Sequence, residues 1–221
     1  MRKVKLSASI MCADIMNLAA DLKTLKQKRF DYLHFDLMDG HFVPEVGLGL
    51  FVLEQITRSQ RLPVDVHLMV SDPHRFLTPL REAGASLISI HCESGEDTER
   101  LLRLIRRQGM KAGVALKPET SLDSLRPFLD LIDMVLLMAY APGTRNQKAT
   151  LGFDRRIREL ARLLDGHGKG AVDIAVDGGV SEALMKRYRE AGANFFILGS
   201  TGLFIPGTSL AEQADRVRLI S

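Results

Sequence analysis

The chain has 221 residues, 46% hydrophobic and 26% charged, with a net charge of +3 and no Trp. That is the mix of a globular chain able to bury a sizeable core. It has no long basic run, no CxxC pattern and no apolar run of spanning length, which argues against nucleic-acid binding, a disulfide framework and a membrane protein.

Met1-Arg2-Lys3 is basic but lacks a following apolar core, so no signal peptide is expected. Cys12 and Cys92 read as free thiols in a reducing, cytoplasmic setting. Val4 to Ile10 is a β-branched run, the first strand. Ala13-Asp14 caps a helix in which Ile15, Leu18, Leu22 and Leu25 recur at helical spacing. Tyr32 to Met38 is the second strand and Asp39 to Val46 a loop. Leu48, Val52, Leu53 and Ile56 mark the second helix. Pro63 opens the third strand, Val64 to Val70, with Asp65, His67 and Met69 on one face. Asp72-Pro73 reads as an N-cap and first helical residue, for a third helix ending near Ala83. The fourth strand is Ala85 to His91. Its helix turns Leu101, Leu102 and Ile105 inward and stops at Gly109. Met110 to Leu116 is the fifth strand, followed by a short helix from Thr120-Ser121. Ile132 to Met138 is the sixth strand, Ala139 to Thr150 a loop, and Phe153 to Leu164 a helix. Val172 to Asp177 and Phe195 to Leu198 are the last strands. Their helices span about Ser181 to Ala191 and Ala211 to Leu219.

Eight strands thus alternate with eight helices over 1–221, with no linker or compositional break. The strands are mostly apolar, as in a parallel sheet covered by helices. Glu82-Ala83-Gly84-Ala85 recurs as Glu190-Ala191-Gly192-Ala193, a glycine stopping each helix before a strand. The pattern predicts an α/β fold, a single-domain (β/α)8 TIM barrel, with a doubly wound open sheet as the alternative.

In such a barrel the chemistry sits at the C-terminal strand ends. There lie Ser9, His34, Asp36, His67, His91 and Asp177. Side chains alternate faces along a strand, so His34, Asp36 and Met38 point the same way. The simpler reading is that His34 pairs with Asp36. With His67 and Asp177 added, two imidazoles and two carboxylates suit a borderline divalent cation such as zinc, iron or manganese. Two carboxylates across a barrel mouth also suit removal and return of a proton beside a carbonyl. Met38, Met69 and Met138 would form an apolar floor. Gly178, Gly179, Gly199 and Ser200 follow the seventh and eighth strands, where barrels often bind phosphate.

The chain resembles the ribulose-phosphate 3-epimerase family over nearly its whole length. The resemblance rests on Ala8-Ser9-Ile10, the run from Leu33 to Pro44 (LHFDLMDGHFVP), Val66-His67-Leu68-Met69-Val70, Val176-Asp177-Gly178-Gly179-Val180 and Gly199-Ser200. It implies a ribulose-phosphate-binding barrel that inverts C3 of a ketose phosphate. His34, Asp36, His67 and Asp177 would hold one divalent ion, zinc foremost and iron, manganese or cobalt otherwise. Asp36 and Asp177 would be the acid/base pair. Ser9 and the three methionines would meet substrate, and Gly179, Gly199 and Ser200 would help hold phosphate. One loop departs from the family, whose members usually carry Glu-Pro-Gly, a glycine-rich turn and Gln. Here Ala141-Pro142-Gly143-Thr144-Arg145-Asn146-Gln147 keeps Pro142, Gly143 and Gln147 and gains Arg145 as a possible anion fork. The expectation is a related ketose phosphate, D-allulose 6-phosphate being one neighbour, with weaker action on ribulose 5-phosphate than typical members. Lys117 is the one candidate for an aldolase or decarboxylase reading, and a silent sugar-phosphate binder is the non-enzyme alternative. A homo-oligomer with no nucleic-acid or membrane partner is expected. His41 is assigned either a covering role over substrate or a surface role, His91 either a supporting role behind the ligands or a packing role, and His74 and His167 solvent.

Overall fold

The computed structural model describes residues 2–144 and 147–220. Arg145, expected at the substrate, lies outside them. Eight parallel strands close in chain order, β8 pairing back onto β1. They are β1 Lys5–Ser9, β2 Tyr32–Met38, β3 Val64–Met69, β4 Leu87–His91, β5 Lys111–Leu116, β6 Met134–Met138, β7 Asp173–Asp177 and β8 Phe195–Leu198. The helices are α1 Leu18–Gln27, α2 Leu50–Ser59, α3 His74–Glu82, α4 Thr98–Arg107, α5 Phe153–Gly166, α6 Glu182–Ala191 and α7 Leu210–Leu219. This is the expected (β/α)8 barrel, and the open sheet is excluded.

Alternation along each strand builds two cores. Outward residues such as Leu33, Phe35, Val66, Leu68, Val135 and Leu137 pack with the buried faces of the helices. Inward residues such as Tyr32, Leu136, Ala175, Phe195 and Ile197 fill the barrel. The interior is therefore packed solid below the site rather than hollow. Both copies of the Glu-Ala-Gly-Ala phrase end a helix. Gly84 and Gly192 adopt positive φ, and their N–H groups bond back to Arg81 and Arg189.

Three expectations are refined. The segment after β5 is a seven-residue 3₁₀ helix, Leu122–Phe128, with Ser121 as N-cap and Pro127 inside. Pro127 has no N–H to give and disfavours the α conformation at Arg126, so an α-helix does not propagate. Ile15 is not part of α1. The Asp14 carboxylate accepts from the Met16 N–H at 3.0 Å and the Asn17 amide at 2.6 Å, making a turn that leaves Ile15 exposed and delays the helix to Leu18. Similarly Leu48 precedes α2, because Gly49 is extended at the N-cap. Remaining boundary differences are one or two residues. Among the described residues no helix is long and apolar enough to cross a membrane, and both cysteines are free.

Candidate active site

Register places the site before any side chain turns. Across β2–β3, Asp36 lies opposite His67 and Met38 opposite Met69; across β6–β7, Met138 lies opposite Asp177. Inward alternation then aims His34, Asp36, His67 and Asp177 into the C-terminal half of the barrel. One donor atom from each lies within 4.8 Å of the others. Nε2 of His34 and Nδ1 of His67 each stand 3.2 Å from Oδ1 of Asp36. Nδ1 of His67 is 4.0 Å from Oδ2 of Asp177. His34, Asp36 and His67 are buried and Asp177 partly exposed.

These neighbours set the charge states. Burial opposes charge on His34, but Asp65 and Asp36 flank it and hold its pKa well above the ordinary imidazole value. Burial would raise Asp36 too, yet His34 and His67 pull that carboxyl below its usual range. Asp177 moves the opposite way: burial and the Asp36 charge raise it against the pull of His34 and His67. Two carboxylates facing each other in a buried site need compensating positive charge. Donors bound tetrahedrally at about 2 Å stand about 3.3 Å apart, and the two 3.2 Å spacings match that. The four residues fit a borderline divalent cation and could hold one.

A second set of polar groups braces the imidazoles from behind. Asp65 pairs with Nδ1 of His34 and accepts the Ser7 hydroxyl at 2.5 Å. On the other side, Nε2 of His67 meets Nε2 of His91 at 2.9 Å, and Nδ1 of His91 meets Glu93 at 3.0 Å. His91 is fully buried and reaches the site through His67, a place behind the ligands that is one of the two roles expected of it. His74 and His167 are exposed. His41 is exposed and turned back on Asp39, whose carbonyl lies 2.9 Å from its Nδ1.

Above the four residues opens a cavity of about 400 Å³. Among its walls are Ser9, Asp36, Met38, Met69, Met138, Gly143, Asp177, Gly179, Gly199 and Ser200. Gly178 is not part of the wall; it is buried beneath Tyr140, whose ring carbon would stand 3.0 Å from an added Cβ. Gly143 touches the β2–α2 loop so closely that a Cβ would come within 2.5 Å of Val43. The loops after β2 and β6 therefore meet at the mouth. Lys117 places its ammonium 4.5 Å over the Phe42 ring and is not part of the wall, which removes the geometric basis for a Schiff-base reading. Sequence reasoning passed over Met11, Cys12, Glu45, Tyr140 and Ile197, which also line the cavity. Ile197 was visible in the alternation of β8; Met11 and Cys12 lie in a three-residue 3₁₀ turn and Glu45 and Tyr140 on loops, where no periodicity reports direction. Tyr140 stays a phenol, pushed up to about 12 by burial, with Asp177 adding.

The sequence profile of the ribulose-phosphate 3 epimerase family matches residues 5–204. The chain is similar to the ribulose-phosphate 3-epimerase of Bacillus subtilis (strain 168), 37% identical over 99% of this chain and 97% of that one. It is also similar to the ribulose-phosphate 3-epimerase of Serratia marcescens, 36% identical over 90% and 95%. Among solved structures it is similar in fold to a phosphoribosyl anthranilate isomerase from Thermus thermophilus, with TM-score 0.68, 15% identity and 98% and 97% coverage. A tryptophan synthase α-subunit from Pyrococcus furiosus gives TM-score 0.69, 17% identity and 100% and 99% coverage. At such identities the structural likeness speaks for the barrel alone.

Proposed function

This chain belongs to the ribulose-phosphate 3-epimerase family, an isomerase family acting on carbohydrates, and from that premise we propose that it inverts C3 of a ketose phosphate by proton transfer between Asp36 and Asp177. The observation that carries the reading is the convergence of His34, Asp36, His67 and Asp177 within 4.8 Å at the floor of the cavity. When bound there, a divalent ion, zinc foremost and iron, manganese or cobalt otherwise, supplies positive charge beside the oxygen that becomes negative as C3 loses its proton. The chain's own groups do the rest. Asp36, held ionised, suits the base; Asp177, whose pKa is raised, suits the acid that returns a proton to the opposite face. Met38, Met69 and Met138 keep water from the carbanion side. Ser9 meets substrate oxygens, and Gly179, Gly199 and Ser200 hold the phosphate at the mouth.

Ribulose 5-phosphate and xylulose 5-phosphate are the substrate pair that the named relatives support. A second reading follows from Ala141–Gln147, where the family's acidic residue and glycines are replaced. In that reading another ketose phosphate, such as D-allulose 6-phosphate, is preferred. Exposed Met16 and Val46 on the loops after β1 and β2, with exposed Phe51 in the first turn of α2, support a homo-oligomer, and the free Cys12 and Cys92 suit the cytoplasm. Initial rates on ribulose 5-phosphate, allulose 6-phosphate and a four-carbon ketose phosphate, before and after chelation, test the whole reading. No turnover of any of them, or turnover indifferent to chelation, contradicts it; the order of the rates decides between the substrates.

A further inference from the structure

His67 faces two ways. Nδ1 looks into the site, 3.2 Å from Asp36, and Nε2 looks outward, 2.9 Å from Nε2 of His91. Nδ1 of His91 is 3.0 Å from Oε2 of Glu93. The other oxygen of Glu93 accepts the Lys117 N–H at 2.9 Å and the Thr120 hydroxyl. A carboxylate only accepts, so it keeps the His91 proton on Nδ1. Nε2 of His91 is then a lone pair, and the 2.9 Å contact is a hydrogen bond only if Nε2 of His67 carries a proton. The nitrogen of His67 left to bind a cation is Nδ1.

We propose that Glu93 is a positioning residue which, through His91, fixes the protonated nitrogen of His67 and keeps its Nδ1 lone pair aimed at the divalent cation. The proposal rests on the metal reading given above. Nothing in the sequence pattern of metal-ligand residues points to Glu93, which lies past the end of β4. The surroundings are built to hold this relay still. The Phe42 ring packs 4.9 Å from the His91 ring, and Lys117 lies over the same Phe42 at 4.5 Å. Asp39 pins the Phe42 loop by accepting the N–H of Phe42 at 2.9 Å and of Ser71 at 2.8 Å. Burial would raise Glu93, but hydrogen bonds from His91, Thr120 and Lys117 bring it down to about 2. The relay needs Glu93 as an acceptor, and these three hydrogen bonds hold it as one. On the opposite side of the site Asp65 stands behind His34 in the same way but through Nδ1, so the two imidazoles face the site with different nitrogens.

Glu93→Gln is the test, because it keeps the shape and replaces one acceptor with a donor. Its single carbonyl oxygen goes where two donors await it, at Lys117 and Thr120. The amide NH₂ then meets Nδ1 of His91, the His91 proton moves to Nε2, and His67 must accept there. Any cation on Nδ1 of His67 now forces two donors against each other. In metal-free protein, long-range ¹H–¹⁵N imidazole spectra should place the His91 proton on Nδ1 in the wild type and on Nε2 in Glu93→Gln. Competitive zinc titration should show binding weakened roughly 10–100-fold. Glu93→Ala removes the acceptor without adding a donor. It should melt lower than Glu93→Gln yet bind zinc more tightly. Unchanged tautomers in Glu93→Gln, or zinc affinities that simply follow the melting temperatures, overturn the relay. A wild-type chain with the stated tautomers that takes up no divalent cation overturns the metal reading itself, and the purpose of the relay with it.

Discussion

At the closed end of the barrel, Lys5 pairs with Asp173, and the other oxygen of Asp173 accepts the Asn194 amide at 2.8 Å. Tyr32 and Phe195 pack beside them, ring centroids 5.1 Å apart. At the open end, Asp36 and Asp177 bring two carboxylates together with only imidazoles between them. Both sets come from strand alternation, and β7 supplies a carboxylate to each, Asp173 to one and Asp177 to the other. The difference lies in what faces the carboxylates: a lysine built into β1 at one end, and at the other imidazoles, of which His34 has its pKa raised by Asp65 and Asp36. Paired charges at the bottom hold the barrel shut. The four residues at the top are the ones the proposed function uses for a cation and a substrate.

Neutralising one carboxylate at each end should separate the two roles most sharply. Asp177→Asn is expected to lower kcat about 10²–10⁴-fold while the metal-free chain keeps or gains stability, since a like-charge contact is relieved. Asp173→Ala should do the reverse, costing about 1.5–3 kcal/mol in urea unfolding and leaving kcat within a few-fold of the wild type. Comparable kinetic losses from both would erase the distinction. Next in size is cation removal. A divalent ion present at a hundredfold excess over its Kd stabilises by about 2.7 kcal/mol. Chelation should therefore lower Tm in the wild type and do nothing in an Asp36→Asn, Asp177→Asn double variant.

Acid sharpens the same contrast. The raised pKa of His34 belongs to the metal-free chain. Below that pKa a proton occupies the imidazole and competes with the cation, so metal affinity should rise with pH until the proton is gone, at a slope of about one decade per unit. The same raised pKa contributes stability to the metal-free chain below the unfolded value, and this is lost as pH rises through the folded value. Zinc titrations at several pH values would show it; a pH-independent affinity would remove His34 from the site. The smallest effect concerns the mouth. Gly143→Ala should cost about 1 kcal/mol and raise KM, leaving kcat nearly unchanged, because the added Cβ would strike Val43 where the two mouth loops meet.

Much of this was legible in the chain before folding. Strand alternation placed His34, Asp36 and His67 on one face, and the count of βα units placed Asp177 across the mouth from them. Barrel closure needed only those two facts. Roles that depend on rotamer and register were not legible. Asp65 shares a face with His67 in sequence, yet its pairing with His34 arises from the register of β2 on β3. Glu93 lies past the end of β4, in a short 3₁₀ turn that no periodicity reveals. Gly178 reads as a phosphate glycine and instead lies buried beneath Tyr140. The short helix after β5 was legible from Thr120-Ser121, but its 3₁₀ form, set by Pro127, was not.

Proton exchange at C3 tests the central claim most directly. Incubated in D₂O with a ketose phosphate substrate, the wild-type protein should wash deuterium into C3 as the two epimers equilibrate. Asp177→Asn should slow epimerisation far more than it slows exchange into the starting epimer, since Asp36 can still remove and return the proton on its own face. Epimers that interconvert with no deuterium at C3, or an Asp177→Asn chain that epimerises at the wild-type rate, would contradict the two-carboxylate account.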